Sequence, residues 1–218
     1  MSHIVFNNPK FQRWKQSIEV NGNIIKRIEV LANVSRKQSN FFGALLDCQL
    51  VTPEGIEIPR CVMLHGDSAV VIPVLKCCED EEIYTLLVEQ RRIVDGDYAK
   101  EFPSGGEDFS VDDLKSIACR EIKEELHLSI SPEELIPLNT TPVKMNPSLY
   151  GDLAYFFYFE REVPISFLKE MEGLDTGCHE EYEYVRVKVQ KMSEVANCMT
   201  SSALIGLKLL ERALNRVF

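Results

Sequence analysis

One amphipathic helix, predicted from about residue 110 to residue 126, constrains this chain more than any other feature. Its buried stripe begins at i, i+3, i+4 spacing with Leu114, Ile117 and Ala118. The next positions of the same spacing hold three glutamates, Glu121, Glu124 and Glu125. At about 100° per residue, these carboxylates lie within an arc of about 100° on the side of the apolar stripe. Carboxylates that face a protein core are costly unless a counter-charge neutralises them.

The type of donor indicates which counter-charge fits. Three clustered carboxylates suit a hard cation, Mg²⁺ or Mn²⁺, better than zinc. The alternative is a solvated acidic face, which is what most charge runs on helices are. Against that alternative, Lys115 and Lys123 already supply a polar face elsewhere, and Arg120 is placed to hold one carboxylate by a bidentate pair. Mg²⁺ held by carboxylates, with positions open to phosphate oxygens, is typical of phosphoryl chemistry.

The same segment resembles the signature of the Nudix hydrolases. That signature places a glycine, an acidic residue, Arg-Glu, an apolar residue, Glu-Glu, a glycine and an apolar residue at fixed spacing. The residues that fill it here are Gly106, Asp112, Arg120, Glu121, Ile122, Glu124, Glu125 and Leu128. Two positions depart from it, because Asp112 replaces the usual glutamate and His127 replaces the glycine at the helix end. Both replacements are tolerable, since Asp suits a helix start and His accepts a left-handed backbone.

The resemblance implies the fold class, an α/β/α sandwich with a mixed sheet, and the strand patterns agree with it. The predicted strands cover residues 24–30, 41–51, 56–64, 68–75, 83–89, 153–160 and 182–189. Pro53 to Gly55 marks a turn between the second and third strands. A short helix is predicted over residues 165–171. A closing helix is predicted after Thr200, with a buried stripe of Leu204, Leu207, Leu210 and Leu214.

The domain organisation is also an expectation from the resemblance. Residues 1–62 resemble the β-rich dimerisation segment that precedes the Nudix core in the ADP-sugar pyrophosphatase branch. Residues 63–218 then form the Nudix hydrolase domain, and the protein is expected to be a homodimer. The alternative is that the first segment only extends the sheet of a single domain.

Composition limits the partners. The net charge of −10 argues against a nucleic-acid-binding surface, which needs a basic face, and so disfavours an mRNA-decapping role. The seven cysteines are odd in number and form no Cys-x-x-Cys, which favours a reducing compartment over a disulfide framework. No run of 18 apolar residues occurs, so we expect a cytoplasmic protein without a membrane partner.

Two further segments resemble the ADP-ribose and ADP-sugar pyrophosphatases and narrow the expected substrate. Glu89-Gln90-Arg91-Arg92 resembles a Glu-Gln-x-Arg motif, and Glu101-Phe-Pro-Ser-Gly105 resembles Glu-Leu-Pro-Ala-Gly. The resemblance assigns substrate contacts to Arg91, Arg92 and Glu101. It makes Gly105 the signature glycine, whereas the strict spacing favours Gly106. The backbone carbonyl expected to bind metal is therefore that of Ser104 or of Gly105.

The expected activity is Mg²⁺-dependent hydrolysis of an ADP-sugar, such as ADP-ribose or ADP-glucose, to AMP and a sugar phosphate. Metal would be held by Glu121, Glu124 and Glu125. By the resemblance, the general base is expected on a loop outside the signature, with Asp152 as first candidate. The other candidates are Glu180, Glu181 and Glu183 in the segment after Gly177, and Glu181 is the second choice. One alternative is a UDP-glucose pyrophosphatase, since no residue visibly selects the base. The other is a catalytically silent Nudix domain that binds a nucleotide, which the intact set of glutamates disfavours.

Overall fold

The structure is a computed structural model that describes residues 2–36, 39–107, 113–177 and 183–218. The chain divides into two compact units. The first contains Met1–Asp67, Gly106–Asp112 and Val143–Ala154, and the second contains Ser68–Gly105, Asp113–Pro142 and Tyr155–Phe218. The predicted N-terminal segment, residues 1–62, lies entirely in the first unit.

The first unit is built on a three-stranded antiparallel sheet in the order β1-β2-β3. Its strands are β1 (Ile24–Arg36), β2 (Ser39–Val51) and β3 (Glu57–Leu64). The bounds of β2 and β3 are within two residues of the predicted ones, whereas β1 runs six residues past its predicted end. The predicted turn between β2 and β3 is confirmed: the Thr52 N–H donates to the Ile56 carbonyl at 2.9 Å, and Gly55 has a φ of 81°. A glycine suits this left-handed position because it has no Cβ.

Two helices precede the sheet, and the strand patterns did not predict them: α1 (Ser2–Phe6) and α2 (Pro9–Val20). The sequence carries a local signal for α2. Asn8 caps the helix by accepting the Lys10 N–H at 2.9 Å, and Pro9 occupies the first turn, where its missing N–H costs nothing. The helices bury Val5 and Phe11 against Ala44, Leu46, Cys48 and Leu64, with Trp14 packed on the same cluster.

Helix α2 also supplies two cations to Glu107, a buried residue of the first unit: Arg13 to its carboxylate and Lys10 to its backbone carbonyl. The Arg13 guanidinium makes a bidentate ion pair with Glu107, with Nη1 at 3.0 Å from Oε1. The Lys10 ammonium donates to the Glu107 carbonyl, and the Glu107 N–H donates to the Asp67 carbonyl at 2.9 Å. Only 3% of the Glu107 side chain is exposed. A carboxylate so buried requires its partner, because an uncompensated charge in the interior is strongly destabilising.

Arg13→Ala is therefore expected to lower the free energy of unfolding by about 2–3 kcal/mol, since it leaves the Glu107 carboxylate buried without its ion pair. Lys15→Ala is a matched control on the same helix. It removes an exposed pair with Glu19 and should cost less than about 0.5 kcal/mol. Urea denaturation of both variants checks this. Equal midpoints for the two variants would contradict the interpretation of the Arg13–Glu107 pair.

The second unit is built on an eight-stranded sheet in the order β10-β11-β5-β4-β9-β8, with β6 beside β5 and β7 beside β4. The strands are β4 (Ser68–Cys77), β5 (Ile83–Arg91), β6 (Tyr98–Glu101), β7 (Ser104–Gly106), β8 (Ile136–Pro137), β9 (Ala154–Val163), β10 (Asp175–Thr176) and β11 (Val185–Lys191). The helices are α3 (Leu114–Leu126), α4 (Ile165–Met171) and α5 (Ser201–Leu214), with a 3₁₀ helix over Met192–Cys198.

Helices cover both faces of this sheet. Val71 of β4 lies in the cluster that contains Ile117 and Ile122 of α3. Its neighbour Ile72 points to the opposite face, where it packs close to Gly206 of α5 together with Phe102. The predicted α/β sandwich is therefore confirmed.

The predicted helix over residues 165–171 is α4, and the closing helix is α5. Leu207 and Leu210 of α5 are buried as predicted, but Leu204 is 38% exposed, so its predicted burial is wrong. The apolar spacing of α5 extends beyond the surface that the sheet covers. Thr200 precedes the helix, but its hydroxyl does not cap α5 by accepting an N–H; it donates to the Lys100 carbonyl instead. Within the described residues, no helix is long and apolar enough to span a membrane.

Candidate active site

Helix α3 is the element around which the site is built. The predicted start near residue 110 falls in 108–112, outside the described residues together with Asp112, and the described helix begins at Leu114. Its end is as predicted: His127 takes the left-handed conformation with a φ of 53°. The Leu128 N–H then donates to the Ile122 carbonyl at 3.3 Å, which closes the last turn.

The three glutamates of α3 differ in burial. Glu125 is only 6% exposed and the Glu121 side chain only 12% exposed. Glu124 is exposed, so the prediction that all three share the inward face is wrong for this residue. The buried face is centred on Ala118 and Glu125, and at about 100° per residue Glu124 lies roughly 100–120° away from that centre. The carboxylates of the helix therefore range from buried at Glu125 and nearly buried at Glu121 to exposed at Glu124.

Burial raises the pKa of the two inner glutamates. The pKa of Glu121 rises from 4.5 to about 7, mainly because burial disfavours its charge and also because Glu124 and Glu183 are nearby, while Arg120 opposes the rise. Burial likewise raises the pKa of Glu125, with Glu121 adding to the effect and the Ser104 N–H and Arg92 opposing it. A bound cation would stabilise the ionised form of both carboxylates and so oppose the rise in their pKa. The pair is therefore a favourable set of ligands for a cation.

The loop that precedes α3 in the chain contacts both inner glutamates. The Ser104 N–H donates to Glu125 Oε2 at 2.9 Å. A Cβ on Gly105 would overlap the carboxyl group of Glu121, whereas a Cβ on Gly106 would lie 3.4 Å from His65 Cε1 and 3.7 Å from the Asp67 carbonyl oxygen, at ordinary contact distance. Only the first of the two glycines is therefore needed for the approach of the glutamate. This favours the register in which Gly105 is the signature glycine and Ser104 precedes it.

The two arginines expected to contact substrate have different surroundings. Arg92 makes a bidentate pair with Glu101, with Nε at 2.9 Å from Oε1 and Nη2 at 2.6 Å from Oε2. This pair raises the pKa of Arg92, and Glu125 and Glu183 add to the rise. Arg91 is exposed, stacks over the Tyr98 ring at 4.4 Å and donates to the Gly96 carbonyl. Of the two, Arg92 lies in the electrostatic field of the α3 glutamates.

Of the two candidate bases, Asp152 lies among the described residues and Glu181 does not. Asp152 belongs to the first unit, on the loop before β9, and its Oδ1 is buried without a hydrogen-bond partner among the described residues. Its neighbour Leu153 donates to Asp67 Oδ1 at 3.1 Å, and burial raises the pKa of Asp67. Glu181 lies outside the described residues. Glu183, which influences Glu121, Glu125 and Arg92, belongs to the same loop sequence.

Two aromatic side chains of the first unit, Trp14 and Phe42, contact other rings. Trp14 lies 5.8 Å from the Phe11 ring, in the core of the first unit, and Phe42 makes an edge contact with His65 at 4.6 Å. Trp14 is therefore a core residue, in agreement with the usual role of apolar aromatics.

The donors of α3 fit a hard divalent cation in chemistry and charge. They are carboxylate oxygens, two of them desolvated, with the Ser104 backbone beside them. Within the described ranges, however, no group of three or more His, Cys, Asp or Glu side chains is gathered closely enough to hold a metal ion.

Strand β7, with Ser104 and Gly105, packs on the glutamates of helix α3 within an α/β sandwich, and this arrangement agrees with the resemblance of the segment to the Nudix signature. The chain is similar to Nudix hydrolase 14, chloroplastic, of Arabidopsis thaliana, with 27% identity over 143 residues. These residues make up 62% of this chain and 45% of the relative, so the match spans less than half of that protein. No family model matches the chain.

A solved structure shares the fold. The crystal structure of an ADP compounds hydrolase superimposes with a TM-score of 0.62 at 17% identity, covering 88% of this chain and 94% of that one. At this identity the likeness concerns the fold. It extends over nearly the whole chain, beyond the segment that carries the signature.

Proposed function

We propose that this chain is a Mg²⁺-dependent pyrophosphohydrolase that splits an ADP-sugar, of the ADP-ribose or ADP-glucose type, into AMP and a sugar phosphate. The observation that carries the proposal is the pair of desolvated glutamates, Glu121 and Glu125, packed against the Ser104-Gly105 loop. The signature residues and the names of the two similar proteins, a Nudix hydrolase and an ADP compounds hydrolase, support it. Mn²⁺ is the expected substitute for Mg²⁺.

The side chains of α3 would hold the metal, together with the Ser104 carbonyl. A bound metal would neutralise the charge of the diphosphate oxygens and would lower the pKa of a water molecule. The Ser104 N–H keeps the Glu125 carboxylate in one orientation. Arg120, 3.2 Å from Glu121 Oε1, does the same for the second inner glutamate. Preorganised ligands of this kind lower the reorganisation that the reaction requires.

Arg92 would bind the diphosphate of the substrate, because its guanidinium is held by Glu101 with both carboxylate oxygens. This leaves one edge of the guanidinium for phosphate oxygens and fixes its plane. Arg91, which stacks on Tyr98, would serve only at the periphery of the substrate. Homodimerisation through residues 1–62 and a cytoplasmic location stay predictions.

For the general base, we expect Asp152→Asn to lower kcat about 10²-fold while changing KM little, since an amide cannot accept the proton of the attacking water. Glu181→Gln is the matched variant in the other candidate loop, and steady-state kinetics on an ADP-sugar compares the two. If only Glu181→Gln lowers kcat, the base lies in the later loop and the Asp152 assignment is wrong.

A substrate panel tests the proposed function. ADP-ribose, ADP-glucose, UDP-glucose, NADH and diadenosine polyphosphates are incubated with Mg²⁺ or Mn²⁺, and the products are separated by chromatography. AMP with a sugar phosphate from an ADP-sugar is the expected result. If UDP-glucose is the only substrate cleaved, with UMP as product, the chain is a UDP-glucose pyrophosphatase. Nucleotide binding without any turnover would favour the silent Nudix domain.

A further inference from the structure

The C-terminal end of α3 is hydrogen-bonded to the last residue of the edge strand β10 and to the residue after it. The last carbonyls of any helix lack partners within the helix. Here the Thr176 hydroxyl donates to the Glu125 carbonyl at 2.6 Å, and the Gly177 N–H donates to the Glu124 carbonyl at 3.2 Å. Two successive carbonyls of α3 therefore find their partners in two successive residues of another element. They belong to two of the glutamates proposed as metal ligands.

Thr176 and Gly177 are held firmly for this role. Thr176 is 2% exposed and pairs with the buried Val185 of β11. Gly177 has a φ of 92°, and a Cβ there would come within 2.7 Å of the Glu183 carbonyl oxygen. Only glycine fits this left-handed turn. The link to α3 therefore rests on a buried strand residue and on a glycine whose positive φ and close backbone contact leave no room for a side chain.

We propose that Thr176 is a positioning residue for the metal site. Its hydroxyl fixes the last turn of α3 through the backbone, so that the side chains of Glu124 and Glu125 leave the helix at one fixed angle. A rotation of that turn would displace both carboxylates together. This inference rests on the proposed function, because it assigns metal binding to the same glutamates. It adds a residue outside the Nudix signature to the parts that determine metal affinity.

The test measures Mn²⁺ binding by electron paramagnetic resonance of the free ion, together with the thermal midpoint of the metal-free protein. Thr176→Val, which keeps the shape and loses the donor, is expected to raise the Kd for Mn²⁺ about tenfold, and Thr176→Ser to keep it within about twofold of wild type. Thr200→Val is the matched control. It removes a similar bond, from the Thr200 hydroxyl to the Lys100 carbonyl at 2.9 Å, and should leave the Kd unchanged.

Each outcome decides the proposal. An unchanged Kd in Thr176→Val, even with a lower thermal midpoint, would overturn it and leave a structural role. A rise in the Kd for Mn²⁺ in Thr176→Ser as large as the rise in Thr176→Val would also overturn it. If Thr176→Val does not fold, Thr176→Cys, a weaker donor, is expected to show an intermediate Kd, and a wild-type Kd there would overturn the proposal. A wild type that binds no Mn²⁺ would overturn the metal assignment as well, which separates the two failures.

Discussion

Glu125→Gln is expected to lower kcat for an ADP-sugar roughly 10³-fold, because an isosteric amide cannot supply the negative charge that a metal ligand needs. The Ser104 N–H can still donate to the amide oxygen, so the fold is preserved. Glu170→Gln, on the exposed surface of α4, is the matched control and should keep wild-type turnover. Steady-state kinetics at saturating Mg²⁺ gives the comparison. Turnover within tenfold of wild type in Glu125→Gln would remove the argument for the metal site.

The same substitution is expected to stabilise the metal-free protein. Folding raises the pKa of Glu125, and it raises that of Glu121 from 4.5 to about 7. The folded state therefore favours the protonated carboxyl groups. This contribution to the free energy of unfolding is fully present below pH 4.5, and it is lost as the pH rises through the folded pKa values. For a shift of the size seen at Glu121, the loss is about 3 kcal/mol.

Urea denaturation in EDTA between pH 4.5 and pH 8 measures this effect. The wild type should lose stability across that range, and Glu125→Gln should lose less and be the more stable protein at pH 8. Glu170→Gln should follow the wild-type curve. Parallel curves for wild type and Glu125→Gln would mean that Glu125 is not the strained group that its burial indicates.

Gly105→Ala is expected to lower kcat/KM about 10²-fold, because the added methyl group would overlap the Glu121 carboxyl and push this ligand out of place. Gly106→Ala is the control that the chain itself offers, since a Cβ there meets His65 and Asp67 only at ordinary contact distance. Its kcat/KM should stay within about threefold of wild type. Equal losses in both variants, or a larger loss in Gly106→Ala, would contradict the register that makes Gly105 the signature glycine.

Local patterns predicted the elements that carry the chemistry. The buried residues Ile117, Ala118 and Glu125 of α3, the left-handed end at His127 and the seven longer strands follow from residue spacing and backbone preference, and the structure confirms them. The short strands β6, β7, β8 and β10 were not predicted. The spacing did not predict that Glu124 is exposed. Whether Glu124 is buried depends on where the sheet ends, and the residue spacing along a single helix does not contain that information.

The two N-terminal helices were not predicted, although Asn8-Pro9 is a helix-start signal. The strand patterns after residue 23 predicted a β-rich segment for residues 1–62 as a whole. Other features have no local signal at all. Arg13 and Glu107 are 94 residues apart, and Thr176 lies 51 residues from Glu125. Pairs of this kind arise only when the chain folds. The choice between Gly105 and Gly106 was likewise open in the sequence, since it depends on how closely Glu121 approaches the loop.

The most direct measurement is the formation of AMP from ADP-ribose by wild type and by Glu125→Gln, each with Mg²⁺ and with EDTA. AMP and ribose 5-phosphate should form in wild type with Mg²⁺ alone, with at most a trace from the other three reactions. AMP at the same rate in EDTA or in Glu125→Gln would show that the α3 carboxylates and their metal do not perform the hydrolysis. If no reaction yields AMP and the protein is folded, the site does not act on this substrate.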